Sequence, residues 1–151
     1  MSMQRLLARV PDAKAIGVAR LAGYRLAFHK IGSDGSGKCD IPESQDSAVF
    51  GRVYKIKVAD FALLDRFEGV GSGYRRDRIE VFFNDDQVSM YSYFATKTDA
   101  NMIPFSWYRH HVLEGALSTG LPSQYISQIR EVESVRDHDL ERERREMEIY
   151  L

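Results

Sequence analysis

LDRFEGVGSGYRR, residues 64–76, contains the turn on which the reading of this fold depends. Upstream, ADFALLDRFE (59–68) sets apolar residues at helical spacing, and Gly69 supplies the stop a helix end favours. Downstream, RRDRIEVFF (75–83) alternates as a strand does. Helix therefore passes to strand through three glycines, with Glu68 the last polar residue before them. Glu68 is either the polar end of a helix or a group with chemistry to do at the mouth of the turn.

Helical geometry sharpens that choice. At about 100° per residue, Glu68 falls between the rows of Phe61 and Leu64, while Asp65 and Arg66 turn further toward solvent. Glu68 thus borders the apolar face at a helix C-terminus, where the macrodipole disfavours negative charge. Desolvation and dipole both raise a carboxyl pKa, and a carboxyl tuned toward neutrality suits general acid–base catalysis. A rim glutamate paired to Arg75 or Arg76 fits the same spacing. On residues alone both readings stand.

Outward from this turn, MQRLLARV (3–10) predicts a short helix stopped by Pro11. Residues 15–29 read as strand, with Tyr24, Leu26 and Phe28 alternating. IGSDGSGKCDIPESQDS (31–47) has almost no apolar anchor and predicts a mobile surface loop. AVFGRVYKIKV (48–58) and QVSMYSYFAT (87–96) alternate as strands, the latter joined to 75–83 by Asn84-Asp85-Asp86. Pro104 opens a helix through Ser118 closed by Gly120, and Pro122 opens another to Val135. From Arg136 the tail is a charged helix or frayed end. Without repeats or a linker, the expectation is a single α+β domain over 1–151: a small, curved, mostly antiparallel, barrel-like sheet with surrounding helices.

Composition narrows the function. The hydrophobic and charged fractions, 44% and 28%, are ordinary for a globular protein, and a net charge of −1 offers no global attraction to nucleic acid or membrane. No apolar run approaches the ~18 residues of a membrane span, and the first residues lack the apolar core of a signal peptide. Cys39 is the sole cysteine, which suits a reducing cytoplasm; the acidic loop around it predicts an exposed, unreactive thiol.

Gly32-Ser33-Asp34-Gly35-Ser36-Gly37-Lys38 resembles a phosphate loop but stops short of one, with Cys39 where a magnesium-binding hydroxyl belongs. Gly69-Val70-Gly71-Ser72-Gly73 follows a helix rather than the strand a dinucleotide fingerprint requires. His110 and His111 are adjacent, so they point about 100° apart rather than toward one metal. No metal, cofactor, membrane or nucleic-acid partner is expected.

In order along the chain stand VARLAGYRLAF (18–28), VFGRVYKI (49–56), LLDRFEGVGSGYRR (63–76), SYFAT (92–96) and PFSWYRHHVLEGALSTGLPSQY (104–125). In these blocks the chain resembles the γ-glutamylcyclotransferase family, including its plant avirulence-induced-gene-like and bacterial members. The resemblance implies a sheet with helices and a cavity at one end, in a lyase of glutathione metabolism. Such an enzyme cyclises a γ-glutamyl amine or γ-glutamyl amino acid to 5-oxoproline and releases the amine or amino acid. It also implies that Glu68, directly before the glycine of the EG motif, is the catalytic acid–base. Tyr93 and Tyr108 would line the substrate pocket, with Tyr74 and Gly69 beside them, and no cofactor would take part.

One departure accompanies the resemblance. The family begins with a strand and a Tyr-Gly-Ser-Asn-like loop before the first helix, and this chain starts at what resembles the segment just after it, with Met1 following the missing Asn. Two expectations follow: a start assigned too far downstream in an active enzyme, or a shortened, catalytically inactive small-molecule-binding module. Leaving group and oligomeric state stay open, the charged C-terminal helix being able to pack on a neighbour in a homodimer.

Overall fold

A computed structural model describes residues 3–151. Met1, where the resemblance places its junction with the missing loop, lies outside the described residues.

The chain runs α1 (Met3–Leu7), β1 (Lys14–Tyr24), β2 (Ala27–Ile31), β3 (Gly37–Asp40), β4 (Glu43–Lys55), α2 (Phe61–Glu68), β5 (Tyr74–Phe83), β6 (Asp86–Ala95), α3 (Ser106–Thr119), α4 (Ser123–Glu131) and α5 (Leu140–Met147). Four strands form an antiparallel sheet in the order β4-β1-β5-β6, and β2 and β3 form a separate hairpin. The sheet has two edges and is not closed, so the barrel-like description holds only loosely. The pairing is irregular where a bulge bends a strand: β1 slips register against β4 between Ala15 and Gly17 and again between Ala22 and Tyr24, and β1 pairs with β5 through Ala19–Phe83 and Arg20–Phe82.

The β5–β6 hairpin pairs from Tyr74–Ala95 to Phe83–Asp86. Asn84 and Asp85 both take left-handed φ values, 51° and 66°, as the tight turn of a twisted hairpin demands. Helix α2 also ends as its sequence requires, with Gly69 at φ 71° and its N–H returned to the Arg66 and Asp65 carbonyls. Helix α4 stops at Glu131, short of the expected Val135, because Arg109 Nη1 caps the carbonyls of Arg130 and Val132 while Val135 pairs with Phe105.

The largest departure from expectation is residues 31–47, which are built rather than mobile. Ser36 and Asp40 are buried there. Asp34 accepts from the Ser36 N–H, the Ser36 hydroxyl and Lys38 Nζ (2.7 Å), so the polar groups satisfy one another. Asp40 binds His29 Nε2 at 2.8 Å and accepts the Ala95 N–H at 2.8 Å, which ties the β2–β3 hairpin to β6 of the main sheet. Periodicity cannot detect a segment held by such polar closure.

Three apolar clusters support the framework. Leu6, Val10, Ala13 and Leu64 join α1 to α2. Ala19, Leu21 and Val81 lie within the sheet, and Ala116, Leu121, Tyr125 and Ile129 join α3 to α4. The first cluster positions the site, because docking Leu6 and Val10 on Leu64 brings Arg9, in the turn after α1, against the end of α2.

Candidate active site

Arg5 and Arg9 stand four residues apart, as do Leu6 and Val10, so seating the apolar row sets the arginines beside it. Arg9 Nη1 donates to Glu68 Oε1 at 3.0 Å, and its guanidinium lies over the Phe67 ring. The Glu68 side chain is only 15% exposed. Burial raises its pKa above the ordinary glutamate value, and Arg9 foremost among nearby cations opposes that rise. Glu68 therefore does not pair with Arg75 or Arg76. Arg75 pairs with Asp77, and Arg76 with Asp65.

The turn after Glu68 is wound on one carbonyl. The N–H groups of Ser72, Gly73 and Tyr74 and the Ser72 hydroxyl all converge on Gly69 O. This winding starts β5 at Tyr74 and brings the Tyr74 ring within the electrostatic reach of Glu68. The Tyr74 hydroxyl donates to the Cys39 carbonyl at 2.6 Å, and the Cys39 N–H donates to the Tyr108 hydroxyl at 3.1 Å. Two tyrosines from distant segments thus clamp the backbone of one β3 residue on both sides, and burial pushes both phenols above their ordinary range. Neither becomes a phenolate near neutral pH. Burial likewise pushes the Cys39 thiol up to about 11, and the residue is half-buried rather than exposed as expected.

Lysines complete the cluster. Lys38 Nζ lies 4.6 Å from the Tyr108 ring centroid and 4.7 Å from that of Trp107, while bonded to Asp34. Lys30 Nζ lies 5.1 Å from the Tyr74 centroid, and its charge and that of Glu68 act on each other.

The structure thus gathers Glu68, Gly69, Tyr74 and Tyr108 around the β2–β3 hairpin. Tyr93 stands apart: its hydroxyl donates to Asp65 at 2.8 Å and its ring packs on the Leu6–Leu64 cluster. Asp65, expected in solvent, is half-buried between Tyr93 and Arg76. Arg9, Lys30 and Lys38 join the site without having been singled out from the sequence. For Arg9 the signal was the cationic row beside Leu6 and Val10. Lys38 sat in the glycine-rich loop, whose polar side chains bind one another rather than a phosphate. Among the described residues no group of three His, Cys, Asp or Glu side chains is placed to hold a metal ion, and no helix is long and apolar enough to cross a membrane.

A model of the AIG2-like family matches residues 48–129, which is more than half of the chain and includes Glu68, Tyr74 and Tyr108. The chain belongs to the AIG2-like family. The AIG2-like chain is 29% identical over 137 residues to a γ-glutamylcyclotransferase of Bos taurus, covering 86% of this chain and 72% of that protein. A solved γ-glutamyl cyclotransferase superposes with a TM-score of 0.83 at 25% identity, covering 93% of this chain and 90% of the other. The ensemble-refined crystal structure of a human protein described as uncharacterized matches at 25% identity with a TM-score of 0.82, over the same shares of both chains. The AIG2-like fold and a γ-glutamylcyclotransferase-like architecture are therefore properties of this chain.

Proposed function

We propose that this chain cyclises a γ-glutamyl amine or γ-glutamyl amino acid to 5-oxoproline, with Glu68 as the general acid–base. One observation carries the reading: a buried carboxyl group of raised pKa, with a single hydrogen-bond donor among the described residues, stands at the EG turn of a γ-glutamylcyclotransferase-like fold. Glu68 takes a proton from the substrate's α-ammonium. The freed nitrogen lone pair attacks the γ-carbonyl carbon, and the bond from that carbon to the departing nitrogen breaks as Glu68 returns the proton to that nitrogen. The ring nitrogen then gives up its second proton through Glu68 to the released amine, which leaves as an ammonium, so the lactam N–H and the Glu68 carboxylate remain. Nucleophile and electrophile belong to one molecule, so the site's other task is to hold the folded rotamer. Such orientation is worth about 7–11 kcal/mol of barrier. Tyr74 and Tyr108, neutral and half-buried, suit that task as hydrogen-bonding walls, and Gly69 lets the backbone turn tightly beside them. Tyr93 acts on the site only through Asp65 and the α2 packing.

The decisive experiment compares wild type with Glu68→Gln in an assay of 5-oxoproline release from a set of γ-glutamyl compounds. Wild type releases product and the variant does not, although the variant still binds substrate. Equal turnover by both removes Glu68 from the mechanism.

A second reading, a catalytically inactive small-molecule-binding module, draws on a different observation. A cavity of about 500 Å³ opens between β2, β4 and α4, lined by Phe28, Phe50, Tyr125 and Ile129, and none of Glu68, Tyr74, Tyr93 or Tyr108 lines it. Glu68 is meanwhile engaged by Arg9. Any measurable cyclisation by the wild-type chain refutes this second reading.

A further inference from the structure

Lys30 and Lys38 are directly paired across the β2–β3 hairpin, so their side chains leave the same face. Like charges at such positions destabilise a hairpin. Lys38 is compensated: Asp34 and the Ser36 hydroxyl take its ammonium at 2.7 Å each, and the Trp107 and Tyr108 rings lie beneath it. Lys30 is not. Among the described residues its ammonium makes no hydrogen bond and no ion pair, and its neighbour is the Tyr74 ring.

Its location is nonetheless built. A Cβ added at Gly73 would stand 3.0 Å from both Cε and Nζ of Lys30, so the glycine of the turn leaves the room in which the ammonium lies. Lys30 is therefore held between the Gly73 backbone and the Tyr74 ring, beside the acid of the proposed reaction. Burial lowers its pKa, which is the cost of leaving an ammonium half-desolvated. Asp34 and Glu68 both act favourably on its charge, but each carboxylate bonds another cation, Asp34 to Lys38 and Glu68 to Arg9.

From this geometry we infer that Lys30 is a substrate-binding residue whose ammonium receives a carboxylate of the γ-glutamyl substrate. The inference rests on the proposed cyclisation and names a recognition element for it. Two carboxylates are available in principle. Every γ-glutamyl compound carries the glutamyl α-carboxylate, whereas only a γ-glutamyl amino acid carries a second one on its leaving group.

The test uses γ-glutamyl-L-alanine and γ-glutamyl-ethylamine, which differ by the leaving-group carboxylate alone, with wild type, Lys30→Met and Lys30→Arg. We expect Lys30→Met to raise KM for γ-glutamyl-L-alanine tenfold or more with kcat little changed, as loss of uniform binding does. Lys30→Arg recovers most of the loss, and thermal midpoints stay together. A loss confined to γ-glutamyl-L-alanine assigns Lys30 to the leaving group; an equal loss on both substrates assigns it to the α-carboxylate. KM values within twofold of wild type for both substrates overturn the inference. If wild type forms no 5-oxoproline, the cyclisation fails separately, and calorimetric titration of γ-glutamyl-L-alanine into wild type and Lys30→Met decides. Binding that weakens tenfold in the variant then sustains the carboxylate role, and equal or absent binding ends it.

Discussion

Two buried carboxylates, each bonded to an arginine, face opposite fates in this molecule. Asp137 lies between α4 and α5 with its side chain fully covered. Its oxygens accept from Trp107 Nε1 at 2.7 Å, from Arg142 Nε and Nη2 at 2.6 Å each, and from the Asp139 N–H at 2.9 Å. Those bonds, with Arg142 first among them, hold its pKa far below the ordinary carboxylate range. Among the described residues Glu68 has one such donor, Arg9, and its pKa moves up. Burial alone does not mark a reactive acid. Donors that meet the carboxylate work against burial, because each bond to the charged form offsets part of the desolvation cost. Burial leads at Glu68, and the Arg142 bonds lead at Asp137. Asp137 is locked as an anion and serves structure, whereas Glu68 is left able to exchange a proton.

The strongest way to break this comparison is at Glu68 itself. Glu68→Gln should lower 5-oxoproline release by roughly a hundredfold or more while the thermal midpoint stays near wild type. The raised pKa means that the fold favours the protonated acid. That contribution to stability is present below the unfolded-state value and lost as pH rises through the folded value, and the neutral amide mimics the favoured form. Turnover lost together with the fold would make Glu68 a second Asp137.

Asp137→Ala should produce the converse, a loss of about 3 kcal/mol in urea unfolding, because it strands Arg142 and the Trp107 N–H. The depressed pKa of Asp137 fixes the sign of its pH dependence. Its stabilisation is present above the unfolded-state carboxylate pKa, about 4, and disappears as pH falls toward the lower folded value. Asp137→Asn should accordingly flatten the acid side of the stability profile. An unchanged urea midpoint in Asp137→Ala would break the comparison from this side.

Arg9→Met sharpens it. Arg9 is the leading opponent of the Glu68 shift, so its removal should move the acid limb of the kcat/KM profile to higher pH. A limb that stays in place would place the titrating group elsewhere.

The smallest expected effect concerns His111. It is buried on α3, bonded to Glu146 and to the Tyr150 hydroxyl, and burial lowers its pKa to about 4. The unfolded chain therefore binds this proton first as pH falls from about 6.5 toward 4. Stability is lost over that window. His111→Gln should reduce the slope of thermal midpoint against pH there, and an unchanged slope would assign it to another group.

Much of the frame was legible because it depends on local rules. The α2 stop at Gly69 and the Asn84-Asp85 hairpin turn follow from left-handed backbone preferences, and the β5 and β6 strands from alternation. The position of Glu68 beside an apolar row was legible for the same reason. Residues 31–47 were not, because their order comes from Asp34, Ser36, Lys38 and Asp40 satisfying one another and reaching His29 and Ala95. Polar closure leaves no periodic trace. The partners of Glu68 were equally hidden, since spacing favours near residues such as Arg75 whereas the bond comes from Arg9 across 59 positions.

By itself the sequence determined where helices and strands begin and end in the 59–120 region, and that an acid stands at the α2 terminus beside buried apolar residues. Local torsion preferences and side-chain period are sufficient for both. Only the tertiary structure decided that the turn after α1 supplies the arginine, that Tyr74 and Tyr108 clamp Cys39, and that Lys30 lies on the Tyr74 ring near the acid. Those relations arise from segments brought together by burial of Leu6, Val10 and Leu64 and by closure of the β2–β3 hairpin. Charges a few ångströms apart in space carry no mark of it along the chain.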